Sequence, residues 1–242
     1  MKSITALATA ALTIVTLSGA LTGCTPTTEQ AYTGTAQNTP TIWTGAPAPG
    51  RVNESGNESG EGSEMPTEGA NLHRYIVANK IAEIPFKKSD PGTPTIAFPF
   101  PPGWGSAGDK TPEWAYGAIT YTKAPDPNDP PFMYVIGSKL TGNVDPEKIL
   151  ELAPSQLNEL PQFTPREPAR RDKVGGFDAV VYDGTFVWQG KPKAVAQATI
   201  VIPGKDALFV LQLDGEAPEG QEQPVIDAAR IIRDQTKIAL PS

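Results

Sequence analysis

The 46 residues from Thr25 to Ala70 hold only five large apolar side chains, Tyr32, Ile42, Trp43, Val52 and Met65, which confines any packed core to residues 71–242. Nine Thr, three Ser, seven Gly and five Pro fill more than half of the stretch. Burying so few apolar groups cannot offset the entropy of ordering the chain, so residues 24–70 read as a disordered tether. A coil of this kind spans roughly 35–40 Å on average, taking about 5–6 Å times the square root of its length. Six Glu against Arg51 leave the tether at −5, and Lys2 adds +1 before it, so of the chain's formal −7 only −3 falls on residues 71–242. The acid excess therefore belongs mostly to the tether. It also argues against nucleic acid as a partner, because phosphate binding needs clustered Lys and Arg.

Ahead of the tether, Lys2 precedes a mostly apolar run from Ile4 to Ala20. The run is short for a bilayer-spanning helix and reads as an export signal over residues 1–23. It ends in Leu21-Thr22-Gly23-Cys24, which resembles the bacterial lipobox. The resemblance implies that Cys24 takes a diacylglyceryl chain, becomes the mature N-terminus and is acylated again. Each buried methylene contributes about 0.8 kcal/mol, so two or more chains anchor stably where one is marginal. An ordinary cleaved signal with an incidental thiol is the alternative. Cys24 is the only cysteine and His73 the only histidine, which excludes an intrachain disulfide and the usual Cys/His zinc site.

From Leu72 the pattern changes. Leu72, Tyr75, Ile76 and Asn79 share one helical face, predicting a first helix to about Ile81. Pro94 to Pro102 reads as extended, with Ile96 and Phe98 inward; Trp114 to Tyr121 and Phe132 to Leu140 read as strands joined by the proline-spaced loop Pro125 to Pro131. Asp145 followed by Pro146 predicts a helix start with a carboxylate cap; Ile149, Ala153, Leu157 and Leu160 give its buried face, and Pro154 kinks or splits it. Phe177 to Trp188, Ala194 to Ile202 and Ala207 to Leu213 are rich in β-branched and aromatic residues and linked by short turns, so they are expected as antiparallel neighbours. A last helix from about Glu222 to Thr236 carries Val225, Ala228, Ala229 and Ile232 on one face. Residues 71–242 thus read as one α+β domain, an antiparallel β-sheet flanked by helices.

Pro125-Asp126-Pro127-Asn128-Asp129-Pro130-Pro131, Ser138-Lys139-Leu140-Thr141-Gly142 and Asp145-Pro146 resemble signature segments of the LpqN/LpqT-type lipoproteins of mycobacteria. Val195-Ala196-Gln197, Val201-Ile202-Pro203 and Phe209-Val210-Leu211-Gln212-Leu213 are similar to that family's closing strands, in consistent order across residues 71–242. The resemblance implies a PsbP-like α/β/α sandwich, exported and lipid-anchored to the outer face of the cell membrane, without enzymatic activity. It also implies binding of trehalose-mycolate-like envelope amphiphiles and association with the transporters that export them.

Chemistry tested residue by residue is sparse. Gly103-x-Gly105-x-x-Gly108 matches the dinucleotide fingerprint by letter, but Asp109-Lys110-Thr111-Pro112 follows where a helix should open. Ser106 lies between glycines but lacks the glycine two residues earlier that a nucleophile elbow requires, and His73 reads as a solvent-facing residue rather than a base. Asp126 and Asp129 lack the graded oxygen ligands of a calcium loop and read as turn formers. No catalytic residue, metal or cofactor is expected. Trp104, Trp114, Tyr116 and Tyr121 lie within eighteen residues around a Gly/Pro-rich loop. Their flat apolar faces with one polar group suit an amphiphile's groove or a sugar ring, and Trp104, Trp114 and Tyr116 are the candidate ligand contacts; filling the core is the competing role. Three functions stay open: an amphiphile- or transporter-binding lipoprotein, an envelope lipid or glycan hydrolase, and a protein-interaction module.

Overall fold

The computed structural model describes residues 71–88 and 90–241; the signal, Cys24 and the tether lie outside the described residues. In chain order these form α1 (Leu72–Ala78), β1 (Ala82–Pro85), β2 (Thr95–Ala97), β3 (Trp104–Ser106), a 3-10 turn (Gly108–Lys110), β4 (Gly117–Tyr121) and β5 (Phe132–Thr141). Next come α2 (Pro146–Leu152), α3 (Ser155–Asn158), β6 (Thr164–Pro165), β7 (Arg170–Val174), β8 (Phe177–Trp188), β9 (Lys191–Pro203), β10 (Leu208–Pro218), α4 (Glu222–Gln235) and β11 (Lys237–Ala239).

Short polar side chains open the first two helices. Asn71 Oδ1 accepts the Arg74 N–H at 2.8 Å, and Asp145 Oδ1 accepts the Glu147 N–H at 2.9 Å with Pro146 as the first helical residue. Pro154 splits the apolar run after Asp145 into α2 and α3, as its missing N–H requires. The first helix ends at Ala78 rather than Ile81, because Asn79 caps it and Lys80 turns the chain with φ 53°.

The main sheet runs β3-β4-β5-β10-β9-β8-β6, with β1 paired to the far half of β5 and β7 to β8; every pairing is antiparallel. Side-chain parity then divides the core. Phe132, Tyr134, Ile136 and Leu140 of β5 pack with Leu72 and Ile76 of α1 and Ile149 and Leu150 of α2. Met133, Leu211 and Leu213 point the other way and pack with Val225, Ala228 and Ile232 of α4. Helices therefore cover both faces, and the expected α+β sandwich is what forms. Two-sided burial explains why β10 is buried from Leu208 to Ala217 without alternation.

Several boundaries differ from the sequence reading. The strand expected from Trp114 begins only at Gly117, because the Ala115 N–H bonds the Pro112 carbonyl at 2.9 Å and keeps Trp114 in a turn. The strand expected to stop at Leu213 continues to Pro218. Strand β7, Arg-Arg-Asp-Lys-Val, gave no strand signal; its charges suit a lateral strand, where they discourage pairing with other chains.

Candidate functional site

Three alanines floor a concavity beside α4. On β9 the α4-facing positions are Ala194, Ala196 and Ala198; register sets Ala196 against Gly215 and Ala194 against Ala217 on β10. A Cβ on Gly215 would lie 2.7 Å from Val225 Cγ1, so the glycine lets α4 settle close onto the sheet there. Beside that contact the alanine methyls fill too little space, and a groove of about 390 Å³ remains between α4, β8 and β9. That is within the range of small-molecule sites. Its walls are Met133, Val181, Leu213, Val225, Ile226 and Ala229, with Arg166, Arg170, Arg230 and Arg233 around the mouth.

Each of those arginines meets a carboxylate. Arg166 pairs with Asp183 at 3.3 Å, Arg170 with Asp172 at 2.9 Å, Arg230 with Asp227 at 3.6 Å, and Arg233 with both Asp234 at 2.9 Å and Asp172 at 3.5 Å. The hydrogen bond to Asp234 is the main cause that raises the Arg233 guanidinium further above its ordinary value.

A second cleft of about 490 Å³ flanks α4 and shares Arg230 with the first. Pro101, Pro102, Trp104 and Tyr121 wall it opposite Gln223, Asp227 and Ile231. Gly103, at φ +82°, makes the aromatic wall possible: a Cβ there would strike the Tyr121 ring at 2.8 Å, and Tyr121 in turn packs on Trp104 at 5.7 Å between ring centroids.

The three candidate aromatics are thus not brought together. Trp104 lines the second cleft; Tyr116 is held in the core on the α4 side between Phe86 at 5.9 Å and Phe98 at 6.3 Å, where burial pushes its phenol up. Trp114 lies on the opposite face of the sheet, edge-on to Tyr134 at 5.3 Å. Among the other residues singled out, Asp126 Oδ1 accepts the Asn128 N–H at 2.8 Å, a turn contact, and Asp129 accepts from Lys193 Nζ at 2.9 Å. The third fingerprint glycine opens a three-residue 3-10 turn, too short to aim a row of amides at a pyrophosphate. His73 is exposed on α1, and among the described residues no hydroxyl or carboxylate is hydrogen-bonded to it.

Sequence reasoning passed over a row of buried polar residues on the α1–α3 face: Ser138 of β5, Gln197 and Thr199 of β9, and Gln212, Asp214 and Glu216 of β10. Asp214 Oδ1 accepts from Gln197 Nε2 at 3.0 Å and Oδ2 from Gln212 Nε2 at 2.9 Å. Desolvation nevertheless outweighs both bonds and pushes its carboxyl up to about 6. Ser138 Oγ donates to Glu83 Oε1 at 2.5 Å. The alternation Gln212, Asp214, Glu216 looks like the wet face of a half-covered strand, which is why it gave no warning. The alternating alanines of β9 were the missed signal for the groove, since small residues in a strand mark close approach or unfilled space.

Similarity to known proteins covers the same part of the chain. Residues 68–239 match the protein family described as "Probable lipoprotein LpqN". The curated lipoprotein LpqN of Mycobacterium tuberculosis is 43% identical over 164 residues, which is 68% of this chain and 72% of that protein. The crystal structure of LpqN involved in cell envelope biogenesis of Mycobacterium tuberculosis superimposes with a TM-score of 0.66 at 42% identity, covering 70% of this chain and 98% of that one.

Proposed function

The chain belongs to the LpqN lipoprotein family, and on that footing we propose that it is a membrane-anchored, non-enzymatic binding protein that holds the acyl part of a cell-envelope amphiphile in the groove beside α4. The observation that carries this reading is the alanine-floored groove of about 390 Å³, whose apolar walls suit a hydrocarbon chain. Envelope location follows from family membership and from the relative's involvement in cell envelope biogenesis. In this reading Cys24 carries the lipid, the anchor sits on the outer face of the cell membrane, and the tether gives the domain roughly 35–40 Å of reach. Trehalose-mycolate-like glycolipids are the amphiphiles, and the transporters that export them are the partners from which the cargo is received. Of the aromatic candidates Trp104 keeps a place as a ligand contact, through the cleft it shares with α4. Hydrolysis has less support, because among the described residues the one imidazole, His73, stands exposed on α1 without a hydrogen-bonded hydroxyl or carboxylate, and the exposed Ser106 accepts the Gly108 N–H at 3.2 Å as a turn contact.

Native mass spectrometry tests the proposal. The chain from Thr25 onward, lacking its own lipid, is loaded with mycobacterial envelope lipid extract. A one-to-one adduct of amphiphile mass, absent from an Ala196→Leu variant, is the expected result. A clean apo mass across several lipid classes would overturn it.

A further inference from the structure

The tether is not uniform in its chemistry. None of its six Glu falls between Gln30 and Asn53, and Arg51 is the only charge there. The same 24 residues hold four of the five large apolar side chains, Tyr32, Ile42, Trp43 and Val52. Within them residues 46–51 read Ala-Pro-Ala-Pro-Gly-Arg. Proline fixes φ at about −65°, so this run favours the extended polyproline form, with three residues per turn and a rise of about 3.1 Å. A segment already extended loses little entropy on binding, and its proline rings suit aromatic walls.

The cleft of about 490 Å³ that flanks α4 offers such a wall. Pro101, Pro102 and the Trp104 and Tyr121 rings form one side, and Ile231 and Asp227 stand opposite. Asp227 supplies the anionic end. Its Oδ1 meets the Arg230 guanidinium at 3.6 Å and accepts from Gln223 Nε2 at 3.2 Å. Neither contact uses Oδ2, and 3.6 Å is long for a hydrogen bond, so this half-exposed carboxylate can still take a second guanidinium. Reach is sufficient. Nineteen residues separate Arg51 from Asn71, where the described residues begin. Extended, they span roughly 63–68 Å, against about 40 Å across a domain of this size. Trp104 lies in β3, the outermost strand at its end of the sheet, so the chain can pass round that edge from α1.

We infer that the cleft walled by Trp104 and Tyr121 is a site for an extended, proline-bearing segment with a basic end, and that residues 46–51 of this chain occupy it. Pro47 and Pro49 lie on the aromatic wall, and Arg51 pairs with Asp227. For the anchored chain proposed above, this contact sets reach. With the segment seated, only residues 25–45 remain as free coil, roughly 23–27 Å on average. A proline-bearing partner that displaces the segment restores the full length. The site stands apart from the groove between α4, β8 and β9, although cargo extending to Trp104 competes with the segment.

The chain from Thr25 onward contains no cysteine, so Asn53→Cys gives a single site for a nitroxide label just beyond Arg51. In heteronuclear NMR spectra the Trp104 indole N–H should lose its signal to the label and recover it on reduction with ascorbate. The indoles of Trp114 and Trp188, on the other face of the sheet, should keep theirs. Pro47→Gly with Pro49→Gly, or Arg51→Glu, should restore the Trp104 signal without reduction. These changes lie outside the domain, so unfolding cannot imitate the result. A synthetic peptide of residues 42–51 should bind the double proline variant about tenfold tighter than the unmodified chain, where the tethered copy competes at about 1 mM against a Kd of about 0.1 mM. Equal loss at all three indoles, loss at none, or a Trp104 signal unmoved by the proline and Arg51 changes would overturn the inference. Equal peptide binding to both chains would do the same. So would Trp104 loss in an unlabelled chain mixed with a labelled one, since the segment would then belong to a second copy. None of these outcomes bears on the lipid adduct, which tests the groove separately.

Discussion

The two faces of the central sheet solve opposite problems with the same strands. Toward α1–α3, β5, β9 and β10 send large apolar residues and a row of buried polar ones, and Ile136, Leu140 and Val210 are sealed from solvent. Toward α4 the same strands present Ala196, Ala198 and Gly215, the first two still partly open. Interiors normally pack to crystal density, so an underfilled face beside a filled one reflects residue choice along β9 and β10 rather than looseness of the fold. The filled face holds the register, and the underfilled stretch around Ala196 is where the proposed amphiphile would lie.

The largest effect separates the two faces directly. Ile136→Ala removes a fully buried side chain from the filled face and should cost about 2–5 kcal/mol in urea unfolding, a large part of a typical domain's roughly 5–15 kcal/mol. Whatever folds should bind amphiphile unchanged. Ala196→Leu on the open face should do the reverse, shifting stability by less than about 1.5 kcal/mol while abolishing the lipid adduct, since the groove has room for the added methylenes. If both variants lost binding and stability in proportion, the division of labour would fail.

A second effect depends on pH. With its folded-state carboxyl raised from 3.8 to about 6, Asp214 favours the protonated form in the folded chain. Its stabilising contribution is therefore complete below pH 3.8, is lost as pH rises to about 6, and stays lost above. The difference corresponds to at most about 3 kcal/mol. Asp214→Asn, which cannot ionise, should match the unmodified chain near pH 3.5 and exceed its stability near pH 7.5. A flat difference between the two pH values would show that the carboxyl is solvated in the folded chain. Gly215→Ala tests the other face at smaller scale: its Cβ would press on Val225, so α4 must lift, with a cost of about 1–3 kcal/mol and a wider groove.

Much of this division was legible in the sequence, and its limits are physical. Apolar periodicity carried the helices and the three long antiparallel strands, because α4 and β8 bury residues at helical and strand spacing. It failed at β10, where Asp214 and Glu216 mimic an exposed face and only the helices on both sides make them interior. It failed at β7, whose charges contradict strand propensity and are tolerated because pairing with β8 supplies the ladder. The aromatic cluster misled for a related reason: Trp114 and Tyr116 lie two residues apart, yet the chain turns between them and β4, and they end on opposite faces. Nearness in sequence decides little where a sheet stands between side chains. The groove itself was written in three alternating alanines, legible only when the absence of bulk is counted as a signal.

The smallest effect concerns the rim of the filled face. Lys193 of β9 shares the strand parity of Val195 and Gln197, and its side chain, only 12% exposed, donates through Nζ to Asp129 of the proline-rich loop at 2.9 Å. The aspartate side chain is 37% exposed, so the two ends of the pair are not equivalent. Removing the lysine leaves a carboxylate that water can solvate, and Lys193→Met should cost under about 1 kcal/mol. Removing the carboxylate strands an ammonium with little access to water, so Asp129→Asn should cost more than Lys193→Met although it deletes less of the side chain. A double-mutant cycle by urea unfolding measures both. Equal single costs would mean that the loop opens freely and that the filled face ends at Val195, whereas the expected asymmetry extends the rigid face out to the loop and leaves the α4 side as the place where this fold yields to a ligand.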